Sequence, residues 1–198
     1  MSQIISDEER IKRLILDIDS ASKSIRIVSG EANYEIYNNE DVVTAFRNAK
    51  KRGVDIKIMI GPIIEVPEDG NDNMIVKLSE ENVLEIYYRP ERRTLIHYRI
   101  VDKHVFYAEE PHPPLSPPSE RRVMDIMDIN DKEFWINKMI ADFDARISER
   151  EVLLSKREDF IMLKPSQIQK LISLLIKEGE SYDFITKDVL KEIANRLN

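Results

Sequence analysis

All three histidines of the chain fall in LIHYRIVDKHVFYAEEPH, residues 95–112, and Arg99 stands two places after the first of them. These residue types can do chemistry on phosphate. A neutral imidazole attacks phosphorus and carries it covalently. A guanidinium presents a planar fork to two phosphate oxygens, which a lysine ammonium, a single point charge, cannot do. His97, Arg99 and His104 are therefore the candidate catalytic residues. Each also has an ordinary explanation: a histidine held by a neighbouring hydroxyl or carboxylate, an arginine paired with Glu85, Glu109 or Glu110. A metal site built from His97, His104 and Glu110 would need converging ligands and support behind them. The sequence shows neither, so no metal and no cofactor is assigned. Just upstream, YYRPERR (residues 87–93) joins Tyr87 and Tyr88 to Arg89, Arg92 and Arg93, a basic-aromatic run that could draw an anion or stack a base. Arg92, Arg93 and Glu110 are the candidate ligand-binding residues.

These side chains gain meaning from the elements that place them. Residues 95–101 and 104–109 both read as strand, with Asp102-Lys103 as a two-residue turn. In that register 101 faces 104, 99 faces 106 and 97 faces 108. His97, Arg99, His104 and Glu110 then share one face, and Ile96, Tyr98, Ile100, Val105 and Tyr107 share the other.

Upstream, Ser6 and the acidic residues after it open a helix from Asp7 to about Ser22, with Ile11, Leu14, Ile15 and Ile18 at helical spacing. SIRIVS (24–29) reads as a buried strand. A helix follows from Asn39 to Arg52 and ends at Gly53, and VDIKIMIG (54–61) reads as a second strand. Strand, helix, strand is a right-handed βαβ unit with parallel strands. A loop carrying Pro62, Pro67, Gly70 and Asn71, a short helix at 73–80 and a third strand at 83–89 lead to the hairpin. PHPPLSPP (111–118) has too few backbone donors for a helix or central strand. A long amphipathic helix is expected from Asp131 to about Ser155. Beyond it the text turns helical again, from Pro165 to about Lys177 and from Thr186 to the C-terminus. The expected fold is α/β, a layered α/β/α domain with a mixed sheet over residues 1–156, plus a small helical C-terminal appendage at 157–198.

ASKSIRIVSG, then EDVVTAFRNAKKRGVDIKIMIG, then a strand leading to LIHYRIVDKHVFY, resembles one half of the phospholipase D superfamily across roughly residues 7–150. That resemblance implies a strand bearing His-x-Lys, then an Asp after four intervening residues and a Gly-Ser pair after six more, with the histidine as nucleophile and the lysine on phosphate. His97 matches. Arg99 stands at the lysine position and His104 at the aspartate position, Asp102 comes two places early, and Glu109 and Glu110 occupy the Gly-Ser region. The family builds its site from two such motifs and this chain offers one, which implies a homodimer.

Composition sets the limits. The chain has 198 residues, 42% of them hydrophobic, a formal charge of −7 and no cysteine, which excludes disulfides, thiolate metal sites and cysteine nucleophiles. Net negative charge makes nucleic acid an unfavoured partner, since non-specific binding rests on many Lys and Arg, although a local basic patch can survive on an acidic protein. No apolar run approaches the roughly 18–20 residues of a membrane span. MSQIISDEER lacks the pattern of a signal peptide, so the expected location is cytoplasmic. The expected function is a degenerate phospholipase D-like module that binds a phosphate-bearing ligand or a protein partner without turnover. The alternatives are a homodimeric phosphodiesterase or nuclease with His97 as nucleophile, and a regulatory sensor or dimerisation domain whose C-terminal helices contact DNA or protein.

Overall fold

The structure, a computed structural model, describes residues 2–69, 72–88, 97–110, 121–124, 132–148 and 160–178. In chain order the elements are β1 (Ser2–Ile4), α1 (Asp7–Ser20), β2 (Ser24–Ala32), α2 (Tyr34–Tyr37), α3 (Glu40–Lys51), β3 (Asp55–Glu65), α4 (Met74–Glu80), β4 (Glu85–Tyr88), β5 (Tyr98–Val101), β6 (Val105–Glu109), β7 (Arg122–Met124), α5 (Lys132–Ser148), β8 (Ile161–Leu163) and α6 (Pro165–Glu178). The strands form one mixed sheet in the order β1-β7-β6-β5-β2-β3-β4, with β8 also on β3. β2 is parallel to β3, and β3 is parallel to both β4 and β8. β5 is antiparallel to β2 and to β6. The expected α/β fold, parallel at the βαβ unit and antiparallel at the hairpin, is the fold observed.

Local chemistry explains the helix ends. Ser6 accepts from the N–H of Glu9 to cap α1, with Asp7, Glu8 and Glu9 complementing the positive end of the helix. Asn39 caps α3, whose chain leaves through Gly53 at φ +84°, a left-handed geometry that glycine adopts without strain. Asn73, fully buried, caps α4 and spends its amide on the carbonyls of Ala32 and Glu65.

Alternation along the strands divides the core in two. Ile25, Ile27, Ile56, Ile58, Ile60, Ile64 and Ile86 pack with Leu14, Ile18, Phe46 and Leu78 on the face covered by α1, α3 and α4. Val28, Met59, Tyr98, Ile100 and Ala108 pack with Ile136 and Phe143 of α5 on the other. Both faces are covered, as a layered α/β/α arrangement requires.

Three strands and a helix lie outside the elements expected: β1, β7, β8 and the four-residue α2. β3 also runs beyond its expected end, through Pro62. Between Ser29↔Ile60 and Glu31↔Ile63 the register shifts, so that two residues of β3 oppose Gly30. This is a β-bulge, a place where a proline without an N–H can stand in a strand. A Cβ on Gly61 would lie 2.0 Å from the carbonyl oxygen of Gly30, so the crossing demands glycine.

The hairpin departs from the expected register. Asp102 takes φ +52° and the N–H of His104 bonds the carbonyl of Val101, so the connection spans three residues, 102–104. Val101 faces Val105 and Arg99 faces Tyr107. The N–H of Glu109 bonds the carbonyl of His97. One extra turn residue exchanges the faces of β6. Tyr107 and Glu109 join His97 and Arg99, while Phe106 and Ala108 pack with Tyr98 and Ile100.

Candidate functional site

A cleft with about 80 Å³ open to water lies at the C-terminal end of β2, on the α1 side of the sheet. α1 contributes Arg10, β2 contributes Glu31, the turn of α2 contributes Tyr37, and the hairpin contributes His97, Arg99, Tyr107 and Glu109. Arg121 enters from the residue before β7.

The charges close on one another. Arg10 donates to Glu109 and, at 3.0 Å, to the carbonyl of Arg121. Arg99 donates through Nε to Asp17 at 2.7 Å, with a second contact from Nη2 to the same oxygen. Arg121 donates to Glu31 at 2.6 Å. Three arginines thus meet three carboxylates, and Arg10, Arg99, Glu31 and Glu109 are all less than a tenth exposed. The Arg99 guanidinium also lies 4.4 Å from the centre of the Tyr107 ring, a cation–π contact. The Tyr107 hydroxyl donates to Glu109 at 2.9 Å.

His97 is buried among them. Its Nδ1 lies 3.7 Å from Oε2 of Glu109, and its Nε2 accepts from the backbone N–H of Gly30 at 3.1 Å. Accepting at Nε2 places the lone pair there and the ring proton on Nδ1, toward the carboxylate. Burial, eased by Arg99 and reinforced by Glu31 and Glu109, pushes the Tyr37 phenol up to about 12. Burial with Glu109 beside it also raises Tyr107. Both phenols are neutral at physiological pH.

Of the residues singled out in the sequence, the structure brings together His97 and Arg99. His104 is exposed on the turn at the far end of β5. Glu110 lies one residue past β6, its N–H bonded to the carbonyl of Arg122. Arg92 and Arg93 lie outside the described residues, as does PHPPLSPP. The partner of Arg99 is Asp17, eighty-two residues away, rather than Glu85, Glu109 or Glu110. Arg10, Asp17, Glu31, Tyr37, Glu109 and Arg121 join the site without having been singled out. Arg10 carried a signal: it stands four residues before Leu14 and eight before Ile18, on the buried stripe of α1, where a lone charge needs a buried partner.

Residues 14–107 match the family described as cardiolipin synthase, PLD-like domain. No curated protein matches the sequence. Among solved structures the chain is similar to TrmBL2, an archaeal chromatin protein described as showing a novel mode of DNA binding, at 14% identity and a TM-score of 0.47, covering 78% of this chain and 55% of that one. It is similar to Nuc from Salmonella typhimurium, a phospholipase D family member, at 20% identity and a TM-score of 0.44, covering 74% and 93%. It is similar to polyphosphate kinase from Porphyromonas gingivalis at 9% identity and a TM-score of 0.50, covering 90% of this chain and 28% of that one. This chain therefore spans about half the length of TrmBL2 and a smaller share of the kinase. No helix among the described residues is long and apolar enough to cross a membrane. The matched segment, just under half of the chain, contains both strands of the βαβ unit and His97, and over it the chain is similar to a PLD-like domain.

Proposed function

We propose that this domain binds rather than turns over: a catalytically silent phospholipase D-like module that works as a docking unit, with a two-fold dimer as its assembled form. The observation that carries the reading is the state of His97. The lone pair a nucleophile would use accepts the N–H of Gly30, and the guanidinium that would hold phosphate is committed to Asp17. Phosphoryl transfer depends on charges positioned in advance for the reacting group. Here the arginines of the cleft already face carboxylates, and a phosphate would have to displace Asp17 or Glu31 while approaching Glu109. That balance favours a protein partner over a phosphate-bearing ligand. A homodimer supplies one by the commonest symmetry of soluble assemblies.

The test has two arms. Wild-type protein should leave a chromogenic phosphodiester unhydrolysed and give no heat with inorganic phosphate in titration calorimetry. Light scattering at micromolar concentration should give twice the 23.2 kDa chain mass. Turnover abolished by His97→Ala in a folded protein would sink the silent reading, and a strict monomer would sink the dimer.

One observation favours a second reading, the homodimeric phosphodiesterase. His97 turns Nδ1 toward the Glu109 carboxylate and keeps Nε2 as the unprotonated nitrogen, held by the N–H of Gly30, the tautomer a nucleophilic imidazole needs once that contact opens. A phosphohistidine trapped at His97 during turnover would establish it.

A further inference from the structure

The end of the sheet opposite the cleft gathers positive charge from three separate parts of the sequence. Three connections lie side by side there: residues 21–23 before β2, 52–54 before β3 and the hairpin turn 102–104. Their adjacency is held by bonds. The N–H of Asp55 donates to the carbonyl of Lys23, and the N–H of Asp102 donates to the carbonyl of Ser24. The Asp102 carboxylate accepts from the N–H groups of Ser22, Lys23 and Ser24 and from the Ser22 hydroxyl, at 2.7–2.9 Å. Arg52 donates to the carbonyls of Ile18, Asp19 and Ala21, tying the end of α3 to the same loop.

The consequence is a set of cations without carboxylate partners. Lys23, Lys50, Lys51 and Lys103 are exposed and form no ion pair among the described residues. Among the described residues Arg52 meets no carboxylate, only the carbonyl oxygens at the end of α1, whose partial negative charge offsets part of its own. Asp102 would neutralise Lys23 or Lys103 if it faced outward, but it is turned in upon the backbone. Of the acidic residues nearby, Asp55 is taken by Arg26, which leaves Asp19. The negative end of α3 accounts for Lys50 and Lys51 near it; it accounts for neither Lys23 nor Lys103, which arrive from elsewhere in the chain. On a chain of formal charge −7, such a concentration stands against the average.

We propose that this sheet end, formed by Lys23, Lys50, Lys51, Arg52 and Lys103, is a contact surface for the phosphodiester backbone of nucleic acid, separate from the cleft. Lysine ammonium groups at turn tips are compact point charges that neutralise phosphates and release counterions. The lysines reach phosphate oxygens rather than base edges, so the contact is independent of sequence; none of the three turns contains a Phe, Tyr or Trp, and His104 is the one ring in them. A bilayer fits less well. The exposed large apolar residues Ile4, Leu16, Phe134 and Trp135 lie in other elements, leaving nothing at the patch to enter the acyl region.

Fluorescence anisotropy with a labelled 20-base-pair DNA duplex tests this. Wild-type protein should bind with a dissociation constant of roughly 10⁻⁴ to 10⁻⁶ M, weakening as salt rises with a log–log slope close to about −4. Lys23→Ala combined with Lys103→Ala should lower the magnitude of that slope by about two and weaken binding at 50 mM salt by more than about 10-fold. Both side chains are exposed, so an unchanged melting temperature is expected. Lys12→Ala, on α1 and paired with Glu8, should bind as wild type does. No binding by wild type at low salt, or equal binding by the double variant, would overturn the proposal. Lysine-dependent binding to vesicles of anionic phospholipid in place of the duplex would overturn it in favour of a membrane.

Discussion

Arg99 shows how the meaning of one residue depends on what faces it. As a residue type it is a phosphate fork; beside Asp17 it is half of a buried ion pair, stacked on Tyr107. Breaking such a pair from one side leaves a charge with no partner, and Arg99→Ala should lower stability in urea melts by about 3–5 kcal/mol. Arg99→Ala combined with Asp17→Ala should cost clearly less than the two single changes added together, because neither orphan remains. Additive costs would mean that the pair is not coupled. Gly30 gives a second test. A Cβ there would lie 2.8 Å from Nε2 of His97, so Gly30→Ala should destabilise by about 1–3 kcal/mol through overpacking. His97→Ala made in the same chain should recover most of that loss. If the cost of Gly30→Ala persists without the imidazole, some other contact enforces glycine at this position.

Elements decide which of these residues can meet, and here the sequence was legible in part. The βαβ unit announced itself through isoleucine-rich strands, a capped helix and Gly53. The faces of β5 followed from simple alternation, so Tyr98 and Ile100 lie inside the core as expected. A two-residue Asp102-Lys103 turn puts β6 on the opposite face from the one observed, because the left-handed Asp102 extends the turn by one. With that longer turn Glu109, not Glu110, shares the face of His97. Short edge strands such as β1 and β7 carry too few residues to show a period, and the partners of Arg99 and Arg121 are fixed by tertiary packing that spacing cannot reveal. Asp102, which the family resemblance makes a displaced catalytic acid, instead fastens the hairpin turn to the start of β2. Burial alone would raise its carboxyl, but the N–H groups of Ser24, Ser22 and Lys23 and the Ser22 hydroxyl hold it below the usual aspartate value. A depressed acid stabilises the fold above its unfolded-state pKa of about 3.9 and loses that contribution as pH falls through the folded value. Asp102→Asn should therefore cost about 1 kcal/mol at pH 7, since solvent screens a carboxylate this exposed, with the gap to wild type closing as chemical melts are repeated below about pH 4. A gap that stays constant down to pH 2 would show that the charge on Asp102 contributes nothing.

Across the whole molecule, the sheet does not stop where the text of the sequence changes. The expected division at 156/157 falls on residues outside those described, but β8 returns from beyond it to pair in parallel with β3, Ile63↔Ile161 through Glu65↔Leu163. Phe160, Ile161, Leu163 and Leu171 are buried, and Ser166, next to the start of α6, donates to the Glu68 carboxylate. β4 covers the first half of β3 and β8 the second, so the two strands share the work of closing one edge around the bulge at Gly61. Removing β8 would expose Ile63 and Ile64 as an unpaired edge, the kind of strand that recruits another chain. A chain ending at 156 should therefore lose stability on the order of 6–12 kcal/mol, at about 1.5–3 kcal/mol for each of the four buried side chains removed. That is comparable to the whole stability of an ordinary domain. The expected outcome is loss of a cooperative melt by circular dichroism, with aggregation on heating. A truncated protein that melts cooperatively within a few degrees of the full chain would show instead that residues 157–198 are a detachable appendage and that β3 needs no second partner.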